Sequence, residues 1–330
     1  MPSRIQVVLC CLCLLTLLLS GCGARPPTVA SDRSASEDAL TRYEFAQVHM
    51  GVECRITLYA GQRESAEKTA ALAFQRIADL DACLSDWRLE SELNRLSDAA
   101  GGPAMPVSED LYRVLDLARR FSEATGGAFD PTVGPVVRLW RQARREGQLP
   151  DRQALEGVLG TVGWQGIELH RDIRSVRLAR PGMRLDLGGI GKGFIADRVG
   201  EVLRDQGVCC FLVDLGGDLL AGDAPPDRAG WTVVVRTGHG DATTLTVANA
   251  GVATSGDTAQ FVEIEGVRYS HIVDPRTGLG LTNCIAATVI APDATTADAL
   301  ASAVCVLGEI EGKAAAVRFA GVSVLVEHAR

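Results

Sequence analysis

Residues 184–199, RLDLGGIGKGFIADRV, set four glycines and a lysine between an apolar, strand-like run and a run with helical spacing. The chain must turn sharply there and enter a helix through positions almost bare of side chains. Such a joint lets main chain approach a ligand closely and presents the positive end of a helix to an anion. Two familiar phosphate loops are excluded by counting. In a Walker A loop the first glycine would fall at Asp186 and a Ser or Thr would follow Lys192, where Gly193 stands. In a dinucleotide fingerprint the third glycine would come one residue later than Gly193 does after Gly189 and Gly191. Read on its own, the stretch is either a different phosphate loop or a strand–turn–helix joint with a solvated lysine.

The N-terminus sets the compartment. Arg4 precedes a 13-residue apolar run at 7–19, too short to span a membrane comfortably and suited to a signal peptide. The run ends in Leu19-Ser20-Gly21-Cys22, which resembles a bacterial lipobox with Cys22 as the lipidated residue. The predicted organisation is a signal peptide at 1–21, a lipidated, flexible Pro/Ser/Ala-rich tether at 22–40 and one domain at 41–330. With 47% hydrophobic and 22% charged residues, that domain can bury a large core. The formal net charge of −8 and the lack of a basic run argue against nucleic-acid binding. Of ten cysteines, three leave with the leader. Apart from Cys22, six remain (Cys54, Cys83, Cys209, Cys210, Cys284 and Cys305), with no C-x-x-C or Cys/His metal spacing among them. They read as small core residues, with one or two disulfides open to an exported chain.

Periodicity predicts a mixed chain. Strand is expected over 44–59, and helix over 64–84, where Ala73, Ile77, Leu80 and Leu84 share a face. A second helix over 108–124 starts at Ser108 as N-cap and stops at Gly126-Gly127. A short strand is expected at 183–188 and a helix at 193–205. Strands follow near 210–215, 231–237, 243–248, 261–265 and 268–273, then a helix over 294–307 and a strand at 322–327. Strands in hairpin-like succession, with helices interspersed irregularly, predict an α+β fold with mixed or antiparallel sheets.

Polar clusters punctuate this pattern at Ser85-Asp86-Trp87, GGAFDPTVGP (126–135), LDLGGIGKGFIADRV (185–199), VDLGGDLLAGD (213–223), GVATSGD (251–257), YSHIVDPRTG (269–278) and TTADALAS (295–302). In this order and spacing they resemble the ApbE-type flavin transferases, from about Met50 to the C-terminus. The resemblance implies an ApbE-like, T-fold-related architecture with the nucleotide in a cleft between sub-domains. It implies FAD contacts at Met50, Trp87, Ala128, Phe129, Asp130, Asp186, Lys192 and Ile272. It further implies Mg²⁺ ligands at the Gly189 carbonyl, Asp298 and Ser302, and a catalytic base at His271. Asp298 and Ser302 are four apart and so share one helix face. The family pattern is departed from at Val52, in place of a threonine, at Trp87, in place of a tyrosine that stacks on flavin, and at Ala301, where some members carry a further aspartate. On its residues alone Trp87 reads as a core tryptophan, Asp298 as a helix-start aspartate and His271 as a structural histidine.

The implied reaction is Mg²⁺-dependent transfer of FMN from FAD onto a Thr or Ser hydroxyl of exported electron-transfer proteins, with release of AMP. The alternatives are FAD hydrolysis to FMN and AMP, or FAD binding without chemistry. The expected location is the periplasmic side of a bacterial membrane, the inner in preference to the outer.

Overall fold

A computed structural model describes residues 40–235, 242–256 and 260–328. The leader, Cys22, the tether up to residue 39, and Asp257 at the end of the GVATSGD motif lie outside the described residues. In chain order the elements are β1 (Thr41–His49), β2 (Val52–Ala60), α1 (Arg63–Leu84), α2 (Glu92–Asp98), β3 (Met105–Pro106), α3 (Glu109–Ala124), α4 (Gly134–Glu146), α5 (Arg152–Leu159), β4 (Ile167–His170) and β5 (Ser175–Leu178). Then come α6 (Gly191–Asp205), β6 (Phe211–Leu215), β7 (Asp218–Ala221), β8 (Trp231–Val235), β9 (Thr243–Val247), β10 (Ala250–Gly256), β11 (Phe261–Ile264), β12 (Val267–Ser270), β13 (Ile285–Ala291), α7 (Ala294–Ala316) and β14 (Ser323–His328).

Seven strands form the main sheet in the order β1-β2-β6-β7-β10-β13-β14. Every neighbouring pair in it is antiparallel, giving the α+β class expected from the strand succession. Alternation along β6 shows how the layers are built: Phe211, Val213 and Leu215 turn into the core under the helices, while Leu212 packs on the opposite face. Helices α1, α6 and α7 cover the first face. On the second, Trp231, Val233 and Val247 of the β8–β9 hairpin pack against Leu219, Ala221 and Val252. Strand β7 is thus covered on both sides and buried throughout, including its one charged residue, Asp218.

Two expected strands changed. Residues 44–59 are a hairpin, because Met50 and Gly51 take φ of 53° and 74° and reverse the chain between β1 and β2. Residues 183–188 are extended without joining a ladder. Arg184 makes one isolated bridge to Val133, the Leu185 N–H donates to Ser97 Oγ, and the Asp186 N–H donates to the Pro131 carbonyl. The helix starts fared better. Ser108 Oγ accepts from the Leu111 N–H, and Gly126-Gly127 follow α3 with φ of 61° and 81°. Helix α7 runs past the expected end at 307, but Gly308 leaves helical geometry (φ 79°), so its first segment stops close to the expected place. Among the described residues, Cys54, Cys83, Cys209 and Cys210 are free thiols.

Packing is very tight where α6, α7 and β10 meet. A Cβ on Gly193 would sit 2.2 Å from the Ala294 carbonyl oxygen, and one on Gly251 would sit 2.4 Å from Ala294 Cα. Asp197 of α6 accepts from the Ala294 and Thr295 N–H groups, at 2.9 Å each, so one helix caps the next. Gly193→Ala should therefore destabilise the fold by about 1–3 kcal/mol through overpacking against rigid main chain. A urea melt checks this; a midpoint within error of wild type would contradict it.

Candidate active site

The Gly-rich loop delivers Lys192 and Gly193 at the start of α6, beside the start of α7. Asp298 points across that junction, where its Oδ2 accepts from the Gly193 N–H at 3.0 Å. The N-cap of α7 is Asp293, which accepts from the Thr296 N–H. Asp298 is therefore not spent on its own helix terminus and is left buried, 3% exposed. One turn on, Ser302 Oγ lies 3.2 Å from Ser255 Oγ of β10. A Cβ on Gly189 would fall 2.9 Å from Ser302 Oγ and 3.4 Å from the Phe129 ring. Gly189, Phe129, Ser302 and Asp298 thus converge.

Lys192 is only partly solvated, its side chain 34% exposed. Its ammonium pairs with Asp218, the buried first residue of β7. Burial works against the Lys192 charge, but Asp218 and Asp298, with Asp214 further off, outweigh it and raise its pKa. Burial, then the neighbouring Asp218, pushes Asp298 up to about 8. One ammonium therefore faces an excess of carboxylate in a nearly dry setting, a deficit of positive charge that a hard cation would fill. Among the described residues no three or more His, Cys, Asp or Glu side chains gather to hold a metal. A cation here would be held by one carboxylate together with hydroxyl and carbonyl oxygens, the donor types offered by Asp298, Ser302 and Gly189.

A second group lies along α4. Arg141 bonds both Asp86 and Asp186, and Asp186 also accepts from the Gly188 N–H at 2.8 Å, bracing the Gly-rich loop. Burial, followed by the proximity of Asp86, raises the Asp186 pKa. Trp87, next to Asp86, is 72% exposed, not a core tryptophan. Trp140, the residue before Arg141 on α4, donates its Nε1–H to the Gly278 carbonyl at 2.8 Å and packs against Tyr269, so α4 also holds the 269–278 segment.

The other expected residues are placed as follows. Ala128 and Phe129 are buried. Both oxygens of Asp130 are engaged, accepting from Thr132 (N–H and Oγ1) and from the Trp164 N–H, so its side chain braces the turn. A cleft of about 260 Å³ has Gly126, Gly127, Asp130, Trp164, Pro275 and Arg276 in its walls, which joins two of the sequence motifs. Ile272 packs with Val304 and Cys305, just beyond Ser302 on α7. His271 Nδ1 lies 3.1 Å from the Gln260 carbonyl oxygen. That oxygen only accepts, so Nδ1 is the donor of this contact. Met50 sits on the β1–β2 turn, and its neighbour Val52 abuts Gly216 in the turn that leads to Asp218.

Sequence reading missed Asp218, Asp214, Ser255, Asp197 and Arg141 as parts of the site. Asp218 carried a signal: an aspartate opening the otherwise apolar Asp218-Leu219-Leu220-Ala221 is costly to bury without a partner. Arg141 carried none, because its partners are 55 and 45 residues away.

The sequence profile of the ApbE family matches residues 50–326. The chain is 35% identical to a Treponema pallidum protein described as FAD:protein FMN transferase, over 98% of this chain and 90% of the relative. It is 33% identical to a Klebsiella pneumoniae protein of the same description, over 83% and 85% of the two chains. The solved flavin transferase ApbE of Vibrio cholerae superposes with a TM-score of 0.78 at 27% identity, over 87% of this chain and 93% of that one. The chain belongs to the ApbE family.

The raised Asp298 pKa gives a pH signature. The folded state keeps a proton that the unfolded chain loses above 3.8, so stability falls as pH rises toward about 8 in the absence of bound cations. Asp197, raised by burial to about 6, adds to this fall only in its lower part. Each unit of difference is worth about 1.4 kcal/mol, so the thermal midpoint in EDTA should drop by several degrees between about pH 6 and 8.5. Asp298→Asn, which keeps an acceptor for Gly193, should flatten that drop. An unchanged slope would contradict the assignment.

Proposed function

We propose that the chain transfers FMN from FAD to a Thr or Ser hydroxyl of an exported protein and releases AMP. The observation that carries this reading is the convergence of Gly189, Lys192, Asp298 and Ser302 at the α6–α7 junction. The descriptions of the relatives, FAD:protein FMN transferase, support the same chemistry.

Each residue has a task that follows from its setting. Lys192 and the N-terminus of α6 take the FAD diphosphate, and Lys192 exchanges its pairing with Asp218 for the phosphate oxygens. Asp298, Ser302 and the Gly189 carbonyl would hold Mg²⁺, which would offset charge developing on the diphosphate. Asp186, braced by Arg141, fixes the loop against the nucleotide. Phe129, Ala128 and the main chain around Asp130 shape the wall for its rings, with Ile272 and Met50 at its edges. Trp87 stacks on the planar flavin with a large exposed face. His271 Nε2 accepts the proton of the acceptor hydroxyl as its oxygen attacks the FMN-side phosphorus. A new P–O bond to the acceptor forms, the bond to the AMP phosphate breaks, and AMP leaves. Most of the rate gain comes from placing these groups and neutralising charge.

The chain would act from a lipid anchor at Cys22, on the periplasmic face of a bacterial membrane, the inner in preference to the outer. Its acceptors would be Thr/Ser-bearing segments of exported electron-transfer proteins.

The test uses the chain from residue 23 with FAD, Mg²⁺ and an acceptor peptide bearing a Ser/Thr-Gly-Ala-Thr-like motif, read by mass spectrometry. The peptide should gain the mass of an FMN phosphoester with one AMP released per event. Asp298→Ala and EDTA should each lower transfer by roughly 100-fold or more. His271→Ala should lower turnover by roughly 100-fold with FAD binding little changed. AMP and free FMN without peptide modification would mean that water is the acceptor. FAD left intact would overturn the enzymatic reading in favour of a flavin-binding lipoprotein.

A further inference from the structure

Although Trp87 is 72% exposed, one face of its indole is covered. The Arg141 guanidinium lies 4.1 Å from the ring centroid. The same guanidinium is bonded to Asp86 on one side and to Asp186, at 3.1 Å, on the other, and the Arg141 side chain is only 18% exposed. The backbone around Trp87 is secured separately. Asn94 Nδ2 donates to the carbonyls of Asp86 and Arg88, at 3.0 and 2.9 Å, and Arg88 pairs with Asp81 at 2.7 Å. These contacts fix the Trp87 Cα but leave the two side-chain torsions that aim the ring. Among the described residues, the stacking on Arg141 is the one ring contact the indole makes.

We propose that Arg141 is a positioning residue that presets Trp87 as a stacking platform. It covers one indole face, turns the other toward the substrate, and ties that platform to the Gly-rich loop through Asp186. A guanidinium is suited to this because its plane can lie on an aromatic face while its edge bridges two carboxylates. Lysine can supply the charge but neither the plane nor the fork. The consequence is a ring held ready before FAD arrives, so the gain falls on binding and not on the bond-making step. This inference rests on the flavin-transfer reading of the site.

A double-mutant cycle on the full chain in detergent tests it, with FAD affinity read by quenching of flavin fluorescence and with kcat and KM measured for transfer. Trp87→Ala should weaken FAD binding by roughly tenfold or more. Arg141→Met should weaken it roughly fivefold more when Trp87 is present than when Trp87 is already alanine, where only the brace on Asp186 is lost. KM should rise while kcat at saturating FAD stays within about twofold. Arg141→Lys should fall between wild type and Arg141→Met. If Arg141→Met does not fold, Asp86→Asn breaks the same bracket from its other end and enters the cycle instead. An equal loss with and without Trp87 would overturn the proposal while leaving the flavin reading intact. No loss in Trp87→Ala would overturn both the platform and the stacking role on which it depends.

Discussion

The site depends on burying Asp298 and Asp218 around a single lysine. Carboxylates are rarely this dry, and the arrangement persists because the fold fastens each one. Asp298 takes a main-chain N–H from Gly193, Asp218 takes the ammonium of Lys192, and Asp197 grips the first turn of α7. Gly193 makes this geometry attainable, since any side chain there would collide with Ala294. The same glycine that lets the helices touch also brings Asp298 within reach of the loop. Stability and charge excess are therefore built at one point, and the junction is left with a deficit of positive charge that a cation would satisfy.

Helix α4 plays the complementary part. Arg141 reaches toward the Gly-rich loop and Trp87, while Trp140 grips the segment that carries His271 and Ile272. Segments distant in sequence are thereby held in fixed relation to one rigid element. Several groups that would meet FAD lie on loops, and the Trp87, Gly-rich and 269–278 segments are held to α4 through Arg141 and Trp140. Such support limits the reorganisation needed when substrate enters.

Much of this was legible in the residues, for physical reasons. Helices α1 and α3 declared themselves by apolar spacing, with a cap at Ser108 and a glycine stop. The Gly-rich loop showed that main chain must come close to something there. Pairing was not legible: β7 and β10 read as motif fragments and β13 was not marked, and of their partners only β6, next to β7, lies close in sequence. Residues 183–188 have the composition of a strand, yet their backbone groups are taken by Ser97, Pro131 and Val133. The site was seen as separate motifs, and the contacts that join them, from Arg141 to Asp186 and from Lys192 to Asp218, cross too much chain for spacing to predict.

We propose that the acid-rich junction of α6 and α7 holds a cation whose site the diphosphate of FAD completes. Titration with Mn²⁺ followed by electron paramagnetic resonance, with and without FAD, tests it most directly. The account predicts bound Mn²⁺ whose affinity rises when FAD is present and falls by roughly tenfold or more in Asp298→Asn. Mn²⁺ binding that is indifferent to FAD and unchanged in Asp298→Asn would contradict it.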